Sequence, residues 1–294
     1  MQELSNECRT IVLASGSLSP IPSLCAELNL FPADSLSSVT PSEPIPTNCL
    51  PKVQKRLQNH PCPLEADHVV DLEKQLFAVS IGHFPDGSEL RVAQKNYTHP
   101  EFLHKLGECL VRIVDGIVEG GVLVFLPSYS LLRKCERLWN PNSYRQNRQA
   151  WWQNEESSDS GPSVFDRLKT KKHNVIVEPS GDQDAFEEKR QEYMETVRTK
   201  GGCVLLAVFR GKMSEGISFN DNNARGVVCI GVPLPSAFAL PIKVKMDYNE
   251  EQRKLRNRTD LLPGREWYNQ QAYRAVAQAL GRCIRHVSLR FCDE

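Results

Sequence analysis

Short runs of consecutive apolar residues recur along this chain and alternate with longer stretches of helical period. The runs at residues 11–14, 76–81, 122–126, 174–177, 203–209 and 226–232 are apolar throughout or nearly so. That is the pattern of strands buried on both faces of a parallel sheet. Helical period appears at residues 21–30, 101–118, 130–139, 185–200 and 267–286. The alternation predicts an α/β layered fold, a mainly parallel β-sheet flanked by helices. Two segments break the rhythm: a Ser/Pro-rich stretch over 33–63 and a polar stretch over 140–172 that contains the pair Trp151-Trp152. Both are expected to be flexible surface insertions. The tryptophan pair suits an insertion anchored to the body of the domain, and alternatively a stacking surface for bases.

With 294 residues and 40% hydrophobic content, the chain can bury a full core. Lys+Arg and Asp+Glu balance at 36 each, so no global field draws it to nucleic acid, and any such contact must come from local patches. The ten cysteines show no C-x-x-C pair and no His/Cys cluster at zinc-ligand spacing, which argues against a disulfide framework, structural zinc or a self-contained iron–sulfur site. No opening signal peptide and no apolar run of membrane-span length are present. A soluble nuclear or cytosolic protein without membrane contact is expected.

Candidate chemistry gathers near the ends of the predicted strands, where parallel sheets place function. In the last predicted helix, at about 100° per residue, Ala272, Val276, Ala279, Leu280, Cys283 and Ile284 fall on one side and Gln278, Arg282 and Arg285 on the other. Two arginines on one polar face suit a phosphate, because the planar guanidinium fork can hold phosphoryl oxygens and stabilise developing charge. An ordinary polar surface is the alternative. Ser15, Gly16 and Ser17 follow the first predicted strand and can bind phosphate or cap the next helix. Ser128 and Tyr129 follow the third, again as a cap or a contact to a phosphate backbone. After the fifth strand, Arg210, Gly211, Lys212, Ser214, Glu215 and Gly216 crowd one turn. It is not a P-loop: Leu206 stands where G-x-x-x-x-G-K-S/T requires its first glycine, and Met213 follows the lysine.

Taken in order, these segments resemble the second motor lobe of the XPD-like superfamily 2 DNA helicases. Residues 15–20 look like motif III, 124–129 like motif IV, 210–219 like motif V and 278–285 like motif VI; 175–179, 221–225 and 262–268 also look like that group. The resemblance covers most of the chain and implies a RecA-like lobe, a helicase C-terminal domain over 1–294. It implies ATP and Mg2+ shared with an N-terminal first lobe, single-stranded or forked DNA as substrate, DNA-repair proteins as possible partners, and the nucleus as location. Arg282, Arg285 and Gln278 would then serve catalysis. Ser15, Gly16, Ser17, Gly211, Lys212, Ser214, Glu215 and Gly216 would serve the nucleotide, and Ser128, Tyr129 and Arg210 the DNA. The family's Walker A and B boxes and 4Fe-4S ligands belong to the first lobe and are not in this sequence, so the chain is expected to be a fragment or an alternative product, inactive alone. Two alternatives stay open: a non-catalytic nucleic-acid or partner-binding module, and a lobe from the telomere-maintenance or cohesion helicases. Ser17 stands where the family usually has Thr. Ser218 stands where motif V often has Asp, which removes a carboxylate there.

Overall fold

Gly120–Leu126 carries seven successive residues with no charge and no hydroxyl, and all seven are buried. A strand of this composition is stable only between two other strands and between two layers of helix. It holds that place in a computed structural model of the protein, which describes residues 21–28, 72–93, 95–141, 161–181, 183–215 and 221–283. In chain order the elements used below are α1 (Ile21–Leu28), α2 (Leu72–Gln75), α3 (Pro100–Asp115), β1 (Gly120–Leu126), α4 (Tyr129–Trp139), α5 (Val164–Lys172), β2 (Val175–Val177), α6 (Gln183–Lys200), β3 (Gly202–Val208), α7 (Lys212–Glu215), β4 (Gly226–Cys229), α8 (Leu240–Leu255) and α9 (Gly264–Leu280). The chain divides into two units, one of Met1–Asp67 with Leu234–Arg274 and one of His68–Pro233 with Ala275–Glu294.

The larger unit holds an open, all-parallel sheet of order β2-β3-β1-β4. Alternate residues of its strands enter two cores. Val122, Val124 and Leu126 of β1, with Val204, Leu206 and Val208 of β3, pack with buried residues of α3, α4 and α5. Leu123 and Phe125, with Cys203, Leu205 and Ala207, join Phe186, Tyr193 and Val197 of α6 and Ala279 of α9. This is the expected α/β arrangement, with helices on both faces.

Local signals explain the boundaries. α3 opens with Pro100, whose missing N–H costs nothing in a first turn. Ser128 caps α4, its hydroxyl accepting from the Leu131 amide at 3.3 Å. Ser163 and Asp166 form a reciprocal capping box at the start of α5. α5 lies inside the stretch expected as an insertion, yet Val164, Phe165 and Leu168 are buried. The end of that stretch therefore belongs to the core, because three apolar residues at helical spacing outweigh the polar composition around them.

Other expectations change. Residues 76–81 form no strand; Phe77 is 75% and Val79 66% exposed, and among the described residues no strand pairs with them. The chain instead turns at 84–88, with Gly87 at φ 82° and a single antiparallel bridge between His83 and Glu89. The last strand stops at Cys229 ahead of Gly231 at φ 73°. α9 stops at Leu280, before its predicted end, because Gly281 follows and the next amides reach back only three residues, Arg282 to Ala279 at 3.1 Å and Cys283 to Leu280 at 3.2 Å. Leu280, expected on the apolar side, is 42% exposed. The run 11–14 and the whole of 33–63 lie outside the described residues.

In the smaller unit, Ser23 of α1 donates to Gln270 of α9 at 2.9 Å. The Glu250 carboxylate of α8 accepts from the Gly264 amide at 2.8 Å, capping α9 from a neighbouring helix. A side chain at Gly264 would stand 2.7 Å from the Met246 carbonyl oxygen, so glycine is what allows these helices to approach.

The buried thiols make stability depend on alkaline pH. Burial pushes the Cys135 thiol from an ordinary 9.0 up to about 12. Above pH 9 the unfolded chain therefore releases a proton that the folded chain keeps. Stability is complete below that pH and is lost as pH rises toward the folded value, by about 1.4 kcal/mol per pH unit for this thiol. Urea midpoints at pH 8 and pH 10 are expected to lie closer together in Cys135→Ala than in the wild type; identical spacing would remove Cys135 from the account.

Candidate functional site

The C-terminal ends of β1, β2 and β3 converge because the three strands are parallel and adjacent. β1 leads to Ser128 and Tyr129, β2 to Glu178, and β3 to Phe209, Arg210 and Gly211. Ser128 uses its hydroxyl as the α4 cap. The Tyr129 hydroxyl donates to Oε1 of Glu178 at 3.0 Å. Burial, and then the neighbouring Glu178 carboxylate, push the Tyr129 phenol up to about 12.

Glu178 is the centre of this edge and is fully buried. Its Oε2 accepts from the Val208 amide at 2.7 Å, and its Oε1 accepts from the Met213 amide at 3.1 Å as well as from Tyr129. The sequence pattern at 175–179 does not by itself single out this carboxylate. The available signal was a lone acid at the end of a buried strand, directly before a proline.

The turn after β3 is shaped around that acid. Arg210 sits at φ 59°, a left-handed conformation uncommon for a side chain of its size. A Cβ on Gly211 would stand 2.5 and 2.8 Å from the two Glu178 oxygens, so only glycine leaves room for the carboxylate. Lys212 is exposed, and its Nζ donates to Gln183 at 2.9 Å. Ser214 and Glu215 lie in α7, and their side chains are outside the description. Gly216, Ser218, Arg285, Ser15, Gly16 and Ser17 lie outside the described residues.

At the end of α9, Gln278 is exposed, while Arg282 is half-buried with its Nε enclosed. Ala279 belongs to the same apolar cluster as Phe209 and Met213, which flank the Arg210 turn, and Cys283 packs against that cluster. The structure thus ties the turn after β3 and the turn after α9 to one cluster, although 60 or more residues separate them in sequence.

The residues present bear unequally on the implied groups. The Val208 and Met213 amides are taken by Glu178, so they form no open phosphate cradle; a nucleotide would rely here on Gln278, Arg282 and the Lys212 ammonium. The described thiols of Cys109, Cys135, Cys203, Cys229 and Cys283 are free. Among the described residues no three His, Cys, Asp or Glu side chains group as metal ligands, and burial pushes the Cys203 and Cys229 thiols, like Cys135, up to about 12. No described helix is long and apolar enough to cross a membrane.

Residues 110–289, from within α3 to beyond the Arg282 turn, match the family described as the helicase C-terminal domain. The chain belongs to that family. The XPD-like resemblance drawn from the motifs is thereby borne out. Among curated relatives of this helicase C-terminal domain are the Fanconi anemia group J protein homolog of Gallus gallus, 36% identical over 287 residues, and the regulator of telomere elongation helicase 1 homolog of Drosophila persimilis, 33% identical over 285 residues. The alignments cover 96% and 97% of this chain and 19% and 23% of those relatives. The chain therefore spans about a fifth of the length of the curated relatives it matches.

Proposed function

We propose that the chain is the C-terminal motor lobe of an ATP-dependent, 5'-to-3' DNA helicase acting in nuclear DNA repair and genome maintenance. The observation that supports this most is the shared cluster linking Phe209 and Met213 to Ala279, because it couples the Arg210 turn to the Arg282 turn. In this reading Tyr129 and Arg210 contact a DNA backbone, with Ser128 fixing the start of α4 beside them. Arg282 and Arg285 would stabilise charge on the phosphoryl group of ATP and Mg2+ held by a first lobe, and Gln278 would sense the nucleotide. Gly211, Lys212, Ser214, Glu215 and Gly216 would connect that cleft to the DNA path, with Ser15, Gly16 and Ser17 on the nucleotide side.

A second reading is a binding module that does not hydrolyse ATP. It is favoured by the Glu178 carboxylate filling two amides of the turn. The two separate in one experiment: ATP turnover is measured, with and without single-stranded DNA, for the chain alone and joined to the first lobe of a relative. The motor reading expects DNA-stimulated turnover only in the joined protein. A joined protein that folds and binds the strand without stimulated turnover leaves the module.

A further inference from the structure

We propose that Glu178 is a positioning residue that locks the turn at 208–213 to Tyr129, so that the two loops present one rigid contact surface to a polyanionic strand. Burying a carboxylate is strongly unfavourable unless its oxygens are satisfied. An apolar residue would fill the end of a buried strand at lower cost. Here the cost is offset by amides at both ends of one turn: Val208, the last residue of β3, and Met213, in the first turn of a helix where amides lack intrahelical acceptors. The Glu178 backbone is itself pinned, its amide donating to the Leu206 carbonyl at 2.9 Å. Inside the turn, the Gly211 amide donates to the Val208 carbonyl at 2.9 Å, and Gly211 leaves the space that the carboxylate occupies. Among the described residues Glu178 makes no ion pair with a lysine or arginine. Its acceptor capacity goes to the turn and to the Tyr129 hydroxyl. Removing the carboxylate frees Arg210 and Lys212 from the geometry that Tyr129 shares.

The contact surface rests on the nucleic-acid reading above; the locking itself does not. The test uses the full chain and its Glu178→Gln and Tyr129→Phe variants, with two readouts: amide hydrogen exchange and binding of a fluorescent oligothymidine. In Glu178→Gln an NH2 group faces a backbone donor, and exchange at Val208 or Met213 is expected to rise about tenfold or more while residues 122–126 of β1 keep their protection. In Tyr129→Phe exchange at Met213 is expected to rise as well, although that side chain does not touch the Met213 amide. Oligothymidine affinity is expected to fall in both, and the double variant to be no weaker than Glu178→Gln. Unchanged exchange at both amides in Glu178→Gln, or an equal rise throughout β1, overturns the proposal. Should Glu178→Gln fail to fold, Tyr129→Phe decides: unchanged exchange at Met213 overturns it. If the wild-type chain does not bind oligothymidine, the strand reading fails, and exchange alone decides the locking.

Discussion

Replacing Arg282 with alanine in a motor completed by a first lobe is expected to lower DNA-stimulated ATP hydrolysis about a thousandfold or more, the scale of an arginine that meets transition-state charge. That loss corresponds to roughly 4 kcal/mol of barrier. The position supports so large an effect, because Arg282 follows directly on an apolar anchor: Ala279 is 3% exposed within the cluster on β1 and β3, and Cys283 packs against it. Backbone anchored on both sides of Arg282 limits the freedom lost on meeting a phosphate, and preorganised charge is what stabilises a transition state without further reorganisation. Far-UV circular dichroism and the urea midpoint should stay near wild type, since Arg282 is half-buried and beyond the end of the helix. Turnover within about twofold of wild type would remove Arg282 from the chemistry.

Trp139→Ala is expected to cost about 3–5 kcal/mol, a large share of the 5–15 kcal/mol that holds an ordinary domain together. Trp139 is completely buried at the end of α4. Its Nε1 donates to the Leu103 carbonyl of α3 at 2.8 Å. Gly107 is matched to it: a Cβ there would lie 2.7 Å from Nε1 and 2.9 Å from Val164 Cγ2 of α5. One indole therefore joins three helices, and alanine would leave a void that three packed elements cannot all close into. Urea unfolding followed by circular dichroism measures the loss. A cost below about 1 kcal/mol would mean that the helices collapse onto the site.

Much of this organisation was legible beforehand. β1 and β3 are apolar at every position, and only a doubly covered parallel strand makes that composition stable. α3, α4 and α6 carry buried residues at helical spacing, and their caps are visible as Pro100 and Ser128. α8 was not legible, because its pattern is inverted: Leu240, Val244, Tyr248 and Leu255 face outward while Asn249 is buried, donating to the Leu262 carbonyl at 3.0 Å. Periodicity finds a helix when its apolar side faces a core, and this one offers an amide there.

The candidate site divides in the same way. Which residues are candidates for chemistry, Arg210, Gly211, Lys212, Gln278 and Arg282, was determined by residue type and local spacing, since cations and glycines near strand ends announce themselves within a few positions. Which of these candidates lie together was decided by tertiary structure alone. Glu178 meets Tyr129, Val208 and Met213 across separations of 30 to 49 residues, and the Arg282 turn shares an apolar cluster with the β3 turn through Ala279 and Cys283. Local sequence sets what each segment can do. The parallel sheet, by ending its strands side by side, sets which segments do it together.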